Sequence, residues 1–147
     1  MKRSIIVATA VVATLVMGSS AALADNAHII GSPSTTVSDN SITFSASVAG
    51  LGNASTADFD WDGTIDVSSR CYTRSGNKPQ AANKQETINV DTTTTSNVGR
   101  NGRTTASLTI SPLSTLSCPP GQRVVIESVS YDITLSYQGD ALATFSG

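Results

Sequence analysis

The chain has little of what most enzymes and nucleic-acid binders rely on. Its 147 residues include one His, two Cys and one Trp, with 5% aromatics and 14% charged residues. With His28 as the only imidazole, a hydroxyl or thiol nucleophile has little access to the base that a triad requires. No cluster of Lys or Arg appears, which argues against a nucleic-acid or anionic-membrane partner. The only Glu residues are Glu86 and Glu127, and no pair of carboxylates is marked out for glycosidic cleavage. The cysteines have no CxxC spacing and no neighbouring His, so a redox pair or an activated thiolate is not favoured. No segment sustains helical periodicity, which excludes a helical bundle. Together these absences predict a protein that works without chemistry of its own and without a cofactor.

What the chain does have is an export pattern, an abundance of hydroxyls and alternation. Lys2 and Arg3 precede an apolar run of 13 residues, 5–17, and Ala22-Leu23-Ala24 offers small residues at both cleavage subsites. Thirteen apolar residues fall short of the ~20 that a bilayer demands, so 1–24 reads as a secretory signal and 25–147 as one secreted domain. No later apolar stretch could hold the chain in a membrane after cleavage. Without Lys2 and Arg3, 7 basic groups face 11 acidic ones, a net charge of −4.

Ser and Thr supply 41 residues, and they interleave with apolar positions at period two. Ile42, Phe44, Ala46 and Val48 alternate with Thr43, Ser45 and Ser47. The pattern resumes at Ala57, Phe59 and Trp61 and continues after Gly63 with Ile65, Val67, Ser69 and Cys71. Asp39-Asn40 signals a tight turn that pairs 30–37 back as a hairpin partner, confined to an edge by Pro33. Ile88 and Val90 mark a short strand, Asn101-Gly102 a hairpin turn, and Ala106, Leu108 and Ile110 another inward row. The segment 124–137 is the longest strand signal. Its inward row moves from Val124 and Ile126 to Val129, Tyr131, Ile133, Leu135 and Tyr137, which predicts a bulge near Glu127-Ser128. Gln138-Gly139-Asp140 turns the chain into a last strand. Seven to nine such strands predict one antiparallel β-sandwich, immunoglobulin-like or Greek-key, with a small barrel as the alternative.

Export permits disulfides, and Cys71 and Cys118 allow one intramolecular connectivity. Closing about 48 residues would stabilise the fold by ~4 kcal/mol on the chain-entropy model.

Three segments, taken as a set, resemble a group of small secreted actinobacterial proteins. They are Ala49-Gly50-Leu51-Gly52-Asn53, the Cys71-containing loop with Gly76-Asn77-Lys78-Pro79 and Asn83-Lys84, and Cys118-Pro119-Pro120-Gly121-Gln122. The resemblance supports the disulfide and an extracellular address, and it implies no catalytic or binding residue.

One stretch departs from that resemblance. Asp58-Phe59-Asp60-Trp61-Asp62-Gly63-Thr64-Ile65-Asp66 has the form DxDxDGxxD, the spacing with which calcium loops bring oxygens together. Ser69 stands where an EF-hand needs Glu, and neither flank is helical. A plain strand, with Phe59 and Trp61 inward and the carboxylates solvated, fits better but sets three like charges on one face. Arg70, Arg74 or Lys84 are the cations that could relieve them. Calcium held by Asp58, Asp60, Asp62 and Asp66 is kept as an alternative. Tyr72 is the aromatic that alternation turns outward, and the polar loop 73–85 beside Cys71 is a second candidate binding element, able to serve an inhibitor of extracellular hydrolases. The expected partner is an extracellular protein or glycan.

Overall fold

A computed structural model describes residues 26–76 and 83–147. The signal segment 1–24 lies outside the described residues, as does the middle of the polar loop, 77–82. Seven strands form among the described residues: β1 (His28–Ser38), β2 (Ser41–Ala49), β3 (Thr56–Thr73), β4 (Asn83–Asn97), β5 (Thr104–Ile110), β6 (Gln122–Tyr137) and β7 (Asp140–Ser146). All pairings are antiparallel. One sheet has the order β1-β2-β5, and the other β4-β3-β6-β7. They are sheet A and sheet B below.

The two sheets pack as a sandwich because alternation gives each an apolar inner face. Ile42, Phe44, Ala46 and Val48 of β2 are buried, as are Phe59, Trp61, Ile65 and Val67 of β3. Phe44 bridges the layers edge-on, with ring centroids 5.4 Å from Phe145 and 5.3 Å from Tyr131. Trp61 satisfies its indole by donating to Thr94 Oγ1 at 2.8 Å.

The Asp39-Asn40 turn joins β1 to β2, and β1 is an edge strand. Pro33 sits where its pairing slips between Ile30 and Ser34, a site that needs no ladder donor. β6 carries the expected bulge. Ser68 faces Ser128 while Ser69 faces Ile126, leaving Glu127 as the extra residue. Gln138 and Gly139 both take positive φ, 52° and 89°, in the two-residue turn before β7.

Two sequence expectations need correcting, whereas the alternation read on both sides of Gly63 holds, since β3 runs unbroken for 18 residues. A Cβ at Gly63 would stand 2.0 Å from the Asp132 carbonyl, so glycine is what lets β6 close on β3. The Asn101-Gly102 turn is not a hairpin. It crosses between sheets, because β4 pairs with β3 whereas the alternation of β5 matches β2. The strand at Ile88 and Val90 is not short either, since β4 has 15 residues and takes Asn83, Lys84 and Gln85 from the supposed loop.

Cys71 and Cys118 are joined, with Cα atoms 5.6 Å apart. The bridge ties the irregular segment between β5 and β6 to the end of β3. Asn40 holds the other end of that segment. Its Oδ1 accepts from Leu113 N–H at 3.0 Å and Ser114 N–H at 3.1 Å.

Candidate functional site

Sequence patterning pointed to the acidic stretch, and the structure sets it in the middle of β3. In an extended strand, positions 58, 60, 62 and 66 point to the outer face of sheet B and lie a pleat apart. The curl that would make positions 1, 3 and 5 converge is not formed. Among the described residues, no group of three His, Cys, Asp or Glu side chains is placed to hold a metal ion.

The carboxylates are held by hydroxyls rather than by the expected cations. Thr95 donates to Asp58 at 2.5 Å, Thr93 to Asp60 at 2.7 Å and Thr87 to Asp66 at 2.6 Å, each from the facing position on β4. Asp62 has no such partner and faces Asp91 directly. On the other flank Asp132 of β6 lies opposite Thr64. Arg70 and Lys84 go elsewhere, to Glu127 and Glu86. The run of Thr on β4 was the available signal, since Thr at every second position opposite Asp makes a donor ladder.

Beyond Asp66 the outer face changes character. A hollow of about 300 Å³ opens there, lined by Asp66, Ser68, Gln85, Thr87, Ser128 and Ser130. Small serines on β3 and β6 leave the space, and Asp66 and Gln85 flank it. Among the described residues, the side chains of Ser68, Gln85, Ser128 and Ser130 make no hydrogen bond to another residue. The hollow therefore presents hydroxyl donors and acceptors, an amide and a carboxylate.

Tyr72 does face outward at the far side of this region. Its hydroxyl donates to Glu127 Oε1 at 2.8 Å. Arg70 Nε stands 3.4 Å from Glu127 Oε2, near enough to pair in charge though outside hydrogen-bond geometry. The bulge supplies this arrangement by turning Glu127 outward beside Ser128. The end of the face thus carries both signs of charge and one aromatic ring.

Alternation alone did not reveal a polar clasp under the same sheet. Lys84 and Glu86 open the inner row of β4, where apolar residues would be expected, and the segment after Pro112 covers them. Ser114 donates to Glu86 Oε2 at 2.8 Å and accepts from Leu116 N–H at 3.1 Å. Ser69, fully buried, donates to Ser114 at 2.7 Å. Thr115 donates to Glu86 through its hydroxyl and its N–H, and Lys84 pairs with Glu86 at 3.0 Å. The Thr115 hydroxyl, with the Ser114 hydroxyl and Lys84 behind it, lowers the Glu86 pKa from the usual 4.5 to about 2. Both lone pairs of the buried Ser114 hydroxyl are taken, so the clasp fastens the connection rather than offering a nucleophile.

His28 begins β1, with Nδ1 2.7 Å from the Asn26 carbonyl, and its ring is exposed. It lies in sheet A and contributes nothing to the face described above. A search of protein-family models and of curated proteins finds no match to this chain.

Proposed function

We propose that the protein is exported and acts outside the cell as a non-enzymatic binding module, with the outer face of sheet B as its binding surface and a glycan as its ligand class. The observation that carries this is the hollow between Asp66 and Ser128, whose serine hydroxyls and Gln85 amide have no internal partners among the described residues. Sugar hydroxyls both donate and accept, and a lining of Ser, Thr, Gln and Asp answers them in kind. About 300 Å³ is at the lower end of ligand pockets and suits one sugar ring. The neighbouring Tyr72 ring gives the adjacent unit an aromatic surface. A disulfide between Cys71 and Cys118 is compatible with an extracellular protein, and the 1–24 pattern supports export.

The test is retention on insoluble polysaccharides and cell-wall preparations, followed by competition with soluble oligosaccharides. Wild-type protein is expected to be retained. Ser68→Trp, which fills the hollow, should abolish retention, while Ser107→Trp on the outer face of sheet A should leave it intact. Failure of the wild type on every matrix, or equal loss in both variants, would sink the proposal.

A further inference from the structure

We propose that the protein pairs with a second copy of itself along the open edge of β6, through residues 123–127. β6 has β3 on one side along its whole length, but β7 covers only its second half. The last β6–β7 pair is Tyr131 with Gly147, whose N–H groups donate at 2.8 and 3.1 Å in the two directions. From 122 to 130, β6 has no strand on that side among the described residues. A row of unpaired N–H and C=O groups is a template for another strand.

Two further observations meet at this edge. A groove of about 620 Å³ runs along it, with 123–129 of β6 on one side and Val37, Ser38 and Asp39 on the other. Val37 is the one large apolar side chain among the described residues that is exposed, at 50%. Val124, Val125, Ile126 and Val129 are themselves only half-buried. A strand entering the groove would cover them.

The sequence of the edge favours a copy of itself over a foreign segment. Set two β6 edges antiparallel about a twofold axis at Val125. Val124 then faces the partner's Ile126, both on the inner side, since Val124 lies opposite Cys71 and Ile126 opposite Ser69. Arg123 faces the partner's Glu127 on the outer side, and symmetry repeats both pairs. Arg123 has no carboxylate partner among the described residues, whereas Glu127 keeps its contacts to Tyr72 and Arg70. Opposite charges directly across a strand pair are stabilising. A slip of one residue would reverse the faces, and a slip of two would set Arg123 against the partner's Val125 or Val129.

The backbone agrees with this register. Alternation along β6, reset by the bulge, turns the N–H and C=O of Val124 and Ile126 to the open side, while Val125 bonds to β3 opposite Arg70. Val124 and the partner's Ile126 can exchange both bonds, as can their symmetry mates. The bulge at Glu127-Ser128 ends the ladder there and limits it to five residues from each copy. So small an interface predicts a weak, reversible dimer.

Sedimentation of the exported protein from about 5 µM to about 1 mM tests this, spanning the range expected of a small interface. A concentration-dependent dimer is expected. Arg123→Glu sets Glu against Glu twice and should raise Kd about tenfold or more. Val124→Pro removes a donor on the open side while leaving the β3 ladder intact, and should abolish the dimer. Thermal melts confirm that both variants fold, and if Val124→Pro does not, Arg123→Glu decides the matter. A monomer throughout, or a dimer indifferent to Arg123→Glu, would overturn the proposal.

Discussion

The two outer faces of the sandwich are built from the same pleated hydroxyl rows, yet only one carries charge. On sheet A, Thr36 faces Thr43 and Ser34 faces Ser45, while β2 sets Thr43, Ser45 and Ser47 against Thr109, Ser107 and Thr105. Thr43 and Thr109 join hydroxyls at 2.9 Å. None of these positions is charged. On sheet B the same kind of row has Asp inserted at alternate positions of its central strand, with Thr of β4 donating to three of them. Sheet A shows what a solvated β surface needs, which is small β-branched or hydroxylated side chains that fit a pleat. Sheet B holds more charge than solvation requires, together with side chains left without partners. That excess is the reason for proposing the binding surface there.

The comparison breaks most severely at Gly63, under the acidic row. Gly63→Ala should drive a methyl into the Asp132 carbonyl and force β3 and β6 apart. A loss of about 3 kcal/mol is expected, seen as a fall in melting temperature of roughly 10 °C. Ser45→Ala on sheet A removes a solvated hydroxyl and should stay within about 0.5 kcal/mol.

Next in size is the clasp that holds the sandwich's irregular connection. Ser114→Ala removes the donor to Glu86 and leaves the buried Ser69 hydroxyl with only its long 3.5 Å bond to the Lys84 carbonyl. Chemical denaturation should report a loss of about 2 kcal/mol. Glu86 gives the same site a pH signature. Its folded pKa lies below its unfolded one, so its stabilisation is complete above about 4.5 and is lost as pH falls towards about 2. Melts between pH 6 and pH 2 should show Glu86→Gln losing less stability over that window than the wild type.

The smallest effect sharpens the contrast in charge. Asp62 faces Asp91 with no Thr between them, so Asp62→Asn should stabilise the fold by about 0.5 kcal/mol at low salt. Added salt should shrink that gain by screening the pair. A destabilised Asp62→Asn variant would mean that the carboxylate has a partner that repulsion does not describe.

How much of this could be read in the sequence follows from the range of each interaction. Burial alternates residue by residue, so β2, β3 and the bulge in β6 were legible from Ile42 to Val48, from Ala57 to Cys71 and at Glu127-Ser128. The strand assignment of Asp58 to Asp66 was legible too, because Phe59 and Trp61 hold the period. Which strand lies beside which was not. The Asn101-Gly102 turn has hairpin chemistry but joins two sheets, a choice made by the pairing of β5 with β2 across more than 50 residues of chain. The Thr ladder, the hollow and the clasp escaped notice for the same reason. Each needs the register of β3 against β4 and β6, which local pattern does not contain. Lys84 and Glu86 illustrate the point, since a polar pair before Ile88 resembles the end of a loop until the segment after Pro112 is seen to cover it.

The claim that sheet B is the binding face is tested most directly by backbone amide NMR of the wild-type protein titrated with soluble oligosaccharides. The expected result is a set of shifts at Asp66, Ser68, Gln85, Ser128 and Ser130, extending towards Tyr72, while Ser34, Ser45 and Ser107 stay still. Shifts centred on the hydroxyl rows of sheet A, or a spectrum unmoved by any oligosaccharide, would contradict it.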